Sequence, residues 1–261
     1  MMPSEFEEKK SRGEAMTRLL CRSGEDLLGV VPGISVPSWV QLASRRFREV
    51  VCNERETFPC YFGTIAEQTK SLRYTYVEDN EIEQPWELLS TLTAYLQACQ
   101  NTSKRSALVV FAGTGQHERS LGDYEAAFWR ILQFLHDHDP LRWPAEVPAD
   151  PDDPLWAFCF AGQPVFISGH SPLHQQRRSR WSPAGLLLVV LSREHLADID
   201  TDSAAARAVR RRIRGLMQSY DTVPLATELT LFYGDPRGRE WRQYWLDDAG
   251  GPQPTRCPLT I

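Results

Sequence analysis

The sequence predicts an α+β fold: a single domain in which a mixed or antiparallel central sheet is covered by helices. Two observations carry this. Strand-like and helix-like patterns are interleaved without the regular βαβ rhythm of a doubly wound sheet. The 261 residues also form one run of such patterns with no internal repeat or low-complexity block, which is enough chain for one large domain. Residues 1–23 are mostly polar and are expected to be a flexible N-terminal segment, with the domain spanning 24–261.

Pro37–Val51 reads as a helix, with Ser38 as its cap and Val40, Phe47, Val50 and Val51 as its apolar stripe. Phe58–Phe62 is an aromatic run around Cys60, and Arg73–Val77 alternates as a strand does. Pro85–Cys99 is a helix with Pro85 near its first turn and Leu88, Leu89, Leu92 and Leu96 along one side. Ser106–Phe111 is a buried strand. The Gly113-Thr114-Gly115 loop after it departs from the dinucleotide pattern, because Glu118 stands at the third glycine, and it reads as a strand-to-helix turn flanked by His117, Glu118 and Arg119.

Asp123–His136 is a strong helix that stops at Asp139-Pro140. The following 140–154 segment, with five prolines, is an ordered loop anchored by Trp143. Trp156–Phe160 and Val165–Ser168 flank Ala161-Gly162-Gln163-Pro164 as a hairpin. Ala184–Leu191 is another buried strand, and Ala204–Tyr220 an amphipathic helix with an arginine-rich outer face. Glu228–Tyr233 reads as a last strand before the turn Gly234-Asp235-Pro236.

Composition narrows the function classes. Basic groups number 29 and acidic groups 34, for a net charge of −5, which speaks against a nucleic-acid binder. Mean hydropathy is −0.40 and no apolar run approaches the ~20 residues of a membrane helix, so no membrane association is expected. The polar start, with Glu5, Glu7, Glu8, Lys9 and Lys10, has no apolar signal core behind it. None of the six cysteines forms a C-x-x-C pair, which disfavours structural zinc and fits free thiols in a reducing cytoplasm.

Three constellations are candidates for chemistry. The first is the face of the 123–136 helix carrying Glu125, Trp129, Gln133 and His136, spaced by four, four and three residues. It is read either as pocket-facing or as an exposed face with a structural tryptophan. The second is His170 to Arg180, where a histidine can ligate haem iron and the nearby Arg177, Arg178 and Arg180 can pair with propionates. Its plain alternative is a solvated basic loop. The third is Cys60 or Cys159 among aromatics, as a thiolate ligand or as inert packing.

The motifs Phe58-Pro59-Cys60-Tyr61-Phe62-Gly63, Arg119-Ser120-Leu121-Gly122-Asp123-Tyr124-Glu125, Phe128-Trp129, Leu135-His136 and Asp139-Pro140 resemble the YqcI/YcgG family. So do Phe158-Cys159-Phe160-Ala161-Gly162, Pro172-Leu173-His174 with Arg177–Arg180, and Tyr233-Gly234-Asp235-Pro236 with Arg239-Glu240-Trp241. Gly238 departs from the polar residue expected there. Characterised relatives in that family are haem-dependent N-hydroxylases, so the resemblance implies a haem b monooxygenase acting on a guanidine or amine nitrogen. The leading expectation is L-arginine to Nω-hydroxy-L-arginine in D-cycloserine-type antibiotic biosynthesis.

On that implication His174 holds the iron with His136 as its rival, and Arg177, Arg178, Arg180 and Cys60 lie at the cofactor. The expected catalytic group is His136 as distal proton donor, Asp123 and Glu125 as carboxylates for the guanidinium, and Trp129 as a stacking ring. Dioxygen or peroxide and an external electron donor are the implied partners, since no flavin or iron–sulfur motif is present, and a homodimer is a further expectation. The rival readings are a haem carrier or sensor, a haem-free protein whose arginine loop binds an acidic partner, and a hydrolase using Cys60 with a histidine.

Overall fold

The computed structural model describes residues 17–99, 106–113, 119–251 and 253–261. In chain order the described elements are β1 (Leu20–Ser23), β2 (Asp26–Gly29), α1 (Ser38–Val51), α2 (Tyr61–Gln68), β3 (Arg73–Val77) and α3 (Trp86–Cys99). They continue with β4 (Leu108–Ala112), α4 (Leu121–Asp137), β5 (Phe158–Phe160), β6 (Gln163–His170), β7 (Leu186–Ser192) and α5 (Ala204–Tyr220). The strands form one seven-stranded sheet in the order β2-β1-β3-β4-β7-β6-β5. Only β3 and β4 run parallel, so the sheet is mixed and the α+β expectation holds.

The two faces of the sheet follow from side-chain alternation along its central strands. Leu108 and Val110 of β4, with Leu186, Leu188 and Val190 of β7, share one core with Leu88 and Leu92 of α3 and Phe128 and Ile131 of α4. Val109, Phe111 and Leu187 face the other way, against Val40 and Ala43 of α1 and Ala66 of α2. These helices cover only the half of that second face near β1, β3 and β4. Over β7 and β6 the second face looks into a cavity instead.

Several local expectations change. The boundary placed at residue 23 falls inside a hairpin, because residues 20–23 of the expected flexible segment are β1, paired with β2. Pro37, not Ser38, is the N-cap of α1 and no side chain caps it. Helix α4 starts two residues earlier than expected, with Ser120 accepting from the Asp123 N–H and the Asp123 carboxylate accepting from the Ser120 N–H in return.

The β5–β6 hairpin turns on Ala161 and Gly162 alone, both left-handed at φ 50° and 72°. That is the sense that matches strand twist, and it leaves Gln163 and Pro164 free to enter β6. Trp143 anchors its loop by donating to the Val147 carbonyl at 2.9 Å. The expected strand at Glu228–Tyr233 is instead a 3-10 turn over Thr227–Thr230 followed by irregular chain. The Arg214 guanidinium donates to the carbonyls of Leu229 and Thr230 at 2.9 and 2.7 Å, taking the acceptors that a strand neighbour would have used. His117 and Glu118 lie outside the described residues.

Candidate functional site

Beneath α5 lies a cavity of about 330 Å³. Its floor is the second face of the sheet: Val109 of β4, Val189 and Leu191 of β7, and Phe166, Ser168 and His170 of β6. Phe47 and Val51 of α1 and the Phe58–Gly63 segment leading into α2 form one side. Ile213 and Met217 of α5 form the roof and stay half-exposed, because the space under them is open. The wall is mostly apolar, with a few polar groups aimed inward, which is the composition of a ligand site.

Two histidines reach this cavity. His195 sits in the 3-10 turn Arg193–Leu196 directly after β7, and its Nδ1 lies 3.0 Å from the Ser106 carbonyl oxygen. A carbonyl only accepts, so Nδ1 carries a proton, and in the neutral ring the lone pair is the one on Nε2. No other hydrogen bond of this ring occurs among the described residues. That is the arrangement by which a second partner orients a metal-binding imidazole. His170 lies on β6 with Nε2 2.9 Å from the Ser168 hydroxyl. Burial, then the nearby Arg180 and His174, push its pKa well below the ordinary value, so the ring is neutral.

The strand register separates the two. His170 is opposite Leu187, whereas Ser192, from which the His195 turn departs, is opposite Val165. Five residue steps along the strand, roughly 16 Å, separate those two positions.

A charged cluster lines the cavity near His195. The Arg193 guanidinium contacts Glu240 and Asp200 and sits under the Tyr233 ring, with 3.7 Å from Cζ to the centroid. Glu240 also accepts from the Tyr244 hydroxyl at 2.8 Å. Burial pushes the Glu240 carboxyl up to about 7, with Arg193 pulling in the other direction. Burial likewise raises Asp200.

Of the residues expected at a site, Arg180 and Cys60 line this cavity. Arg180 donates to the carbonyls of Gln243 and Tyr244 at 2.8 and 3.2 Å, and burial, then Arg177, bring its pKa down to about 10. Cys60 caps α2, its Sγ accepting from the Gly63 N–H at 3.3 Å, and burial raises its pKa, which favours a thiol over a thiolate ligand.

The others lie elsewhere. His174 is fully buried with both ring nitrogens engaged: Nδ1 takes the Ser171 N–H and hydroxyl, and Nε2 faces the Leu246 carbonyl at 2.8 Å. No nitrogen of it is free for iron in this arrangement. Arg177 is held by Asp248 and the Asp247 carbonyl, and Arg178 by Glu56 and the Tyr220 ring. These bonds tie the arginine segment to other loops and keep both groups off the cavity wall.

Asp123, Glu125, Trp129 and His136 all belong to α4, which packs on the opposite face of the sheet from the cavity. There the Asp123 carboxylate is spent on capping, which holds its pKa down. Glu125 is raised by burial, Trp129 packs on Phe128 and Tyr244, and His136 meets the edge of Trp143. Cys159 is buried in β5, where burial pushes its thiol up to about 12.

The sequence does not single out Arg193 or Asp200, His170 and His195 read there as structural histidines, and Glu240 stands in a motif without a role of its own. Among the described residues, no cluster of three or more His, Cys, Asp or Glu could hold a bare metal ion. A haem iron needs only one protein ligand, so that finding bears on ion sites and not on haem. No described helix is long and apolar enough to cross a membrane.

The sequence profile of the YqcI/YcgG family matches residues 47–260. YcgG of Bacillus subtilis (strain 168) is 34% identical over 229 residues, covering 86% of this chain and 89% of that protein. YqcI of the same organism is 32% identical over the same shares. A Streptomyces lavendulae protein named "Putative N(omega)-hydroxy-L-arginine synthase DcsA" is 34% identical over 209 residues, 78% of each chain. No solved structure matches.

Proposed function

This chain belongs to the YqcI/YcgG family, and from that premise we propose that it is a haem-dependent N-hydroxylase of a guanidine, with L-arginine as its leading substrate. The observation that carries the proposal is the cavity: an apolar space on the sheet with an oriented imidazole, His195, in its wall at one end and a cluster of two carboxylates around the Arg193 guanidinium beside it. The name of the Streptomyces relative supports the substrate class.

The residue types of the lining, apolar with arginines at the rim, are those that hold haem, which would reach beyond the enclosed volume of about 330 Å³ into the open space under α5. The half-exposed underside of α5 and the flat sheet face suit a planar apolar group. His195 Nε2 is the iron ligand on this reading, and Arg210 and Arg214, both in the cavity wall, are the propionate partners in place of Arg177 and Arg178. Haem, when bound, supplies the iron chemistry that activates oxygen for transfer to an N–H bond. His170, neutral and at the other end of the floor, is placed to exchange protons through Ser168 rather than to share the iron.

Guanidinium recognition falls to Glu240 and Asp200. The wall already holds one guanidinium, Arg193, between these two carboxylates and the Tyr233 ring. Glu240 accepts from Arg193 and Tyr244, while a carboxylate offers about four acceptor sites, so a second planar cation can be taken by what remains.

Absorbance of the purified protein, reconstituted with haem b and titrated with L-arginine, tests the reading. A Soret band that shifts with L-arginine is expected. No Soret band after reconstitution overturns the haem assignment, and a Soret band blind to L-arginine, other guanidines and amines overturns the substrate class.

The same titration has an expected pH dependence. Below about 7 Glu240 is protonated and offers the guanidinium no charge, whereas above it the carboxylate is ionised. L-Arginine affinity therefore tightens about tenfold from pH 6 to 8, following the ionised fraction. Glu240→Gln flattens that profile and weakens binding. A Glu240→Gln protein with the wild-type profile would remove Glu240 from substrate binding.

A further inference from the structure

The outer side of α5 carries more positive charge than the cavity chemistry uses: Arg207, Arg211 and Arg212 have no part in it, while Arg210 and Arg214 are the proposed propionate partners. Five of the helix's 17 residues are arginine (207, 210, 211, 212 and 214) and none is acidic, in a chain whose net charge is −5. A second, outward-facing concavity of about 570 Å³ opens on this side, lined by Arg207, Arg210, Arg211, Arg214 and Arg237 with Asp202 and Asp235 at its edges. Arg210, Arg214 and Phe232 line both this concavity and the inner cavity, so one layer of side chains separates the two.

Arg237 is neutralised by a bidentate pair with Asp235, whereas the helix arginines are fixed with little neutralisation. Arg210 donates to the carbonyl of Thr201 at 2.7 Å, and Arg214 to those of Leu229 and Thr230. A carbonyl orients a guanidinium but cancels none of its charge. Arg207 pairs only with an exposed Asp202, an arrangement that contributes little in water, and Arg211 is exposed with no acidic partner among the described residues. The result is a rigid positive face. It extends roughly 10 Å along the helix from Arg207 to Arg214, broader than a single phosphate would need.

We propose that this face docks a small acidic electron-carrier protein, which passes electrons through the Arg210–Arg214–Phe232 wall into the cavity. The proposal rests on the N-hydroxylase reading, whose balance requires it: one N–H, one dioxygen, two electrons and two protons give one N–OH and one water. The carrier is oxidised by one electron at each of two encounters. Complementary charge chiefly sets the encounter rate and orientation, so the docking is salt-sensitive.

The test uses haem-reconstituted protein and a plant-type [2Fe–2S] ferredoxin as the acidic probe, with affinity measured at low and high salt. Arg207→Glu/Arg211→Glu is the variant, both positions being exposed and outside the inner cavity. Ferredoxin affinity is expected to fall at least tenfold in the variant and to weaken with salt, while the L-arginine-induced Soret shift stays as in the wild type. Equal affinity of variant and wild type overturns the docking surface, as does preference for basic cytochrome c over ferredoxin, or inhibition by inorganic phosphate alone at equimolar ferredoxin. A chain that takes up no haem overturns the N-hydroxylase reading instead, so the two failures are told apart.

Discussion

On the haem proposal, His195→Ala is expected to abolish the Soret band of the reconstituted protein, lowering haem affinity by about a hundredfold or more, and to leave the far-ultraviolet circular dichroism unchanged. The physical basis is the fixed ring. Its Nδ1 is tied to the Ser106 carbonyl, 89 residues away in sequence, and the turn that carries it is clamped by Arg193 between Glu240 and Asp200. An oriented imidazole loses little freedom on binding a metal, and the lost ligand has no nearby replacement. Free imidazole diffusing into the vacated space restores part of the band, which a merely structural role would not allow. His170→Ala retains the Soret band and shifts only the pH dependence of turnover. His174→Ala lowers stability, because removing the ring strands the Leu246 carbonyl and the Ser171 groups, but the remaining folded protein binds haem. Loss of haem in His170→Ala with an intact band in His195→Ala would place the iron at the other end of the floor.

Why these two histidines escaped a reading of the sequence, while most strands and helices did not, is a matter of range. The α1, α3 and α5 boundaries to within a residue, the body of α4 and the cores of β3, β4 and β7 follow from local periodicity, which neighbouring residues set. The side of the sheet on which a helix packs is set by contacts far away in sequence. The Glu125–Trp129–His136 stripe is a correct statement about one helix face, yet α4 lies across the sheet from the cavity. The arginines after His174 have the look of a solvated run. Three of them fold inward or sideways, because the 243–248 segment and Glu56 offer carbonyls and carboxylates some 60 to 120 residues away. One signal was present. In β6, Phe166, Ser168 and His170 alternate with Val165, Ile167 and Gly169, so one face of an otherwise apolar strand carries polar groups, as a strand does where it floors a site. Glu240 stood inside a motif that carried the family resemblance, but its role depends on Arg193, 47 residues earlier, which no local pattern connects to it.

Glu67→Gln lowers the free energy of unfolding by about 3–5 kcal/mol, read as a fall in the denaturant midpoint at constant slope. Glu67 and Arg22 form an ion pair 2.5 Å apart with both side chains about 1% exposed, and the Tyr74 hydroxyl donates to the same carboxylate. Arg22 further donates to the Ser44 and Glu25 carbonyls. Glutamine keeps the shape and removes the charge, leaving the Arg22 guanidinium buried without a counter-ion. The pair itself need not be net stabilising, since desolvating two charges costs about as much as their attraction returns. Arg22→Met/Glu67→Leu is therefore expected to recover most of the loss, which separates a stranded charge from a lost attraction. A single-variant loss under about 1 kcal/mol would mean that water reaches Arg22 and that the pair is not sealed. The consequence reaches the cavity. Glu67 fastens α2 to β1 and β3, and the same short helix presents Phe62, Gly63 and Ala66 to the cavity wall. On the haem proposal, loosening that fastening is expected to cost haem affinity as well as stability, and added haem to shift the Glu67→Gln protein back toward the folded state by the mass action of a ligand that binds only the native chain.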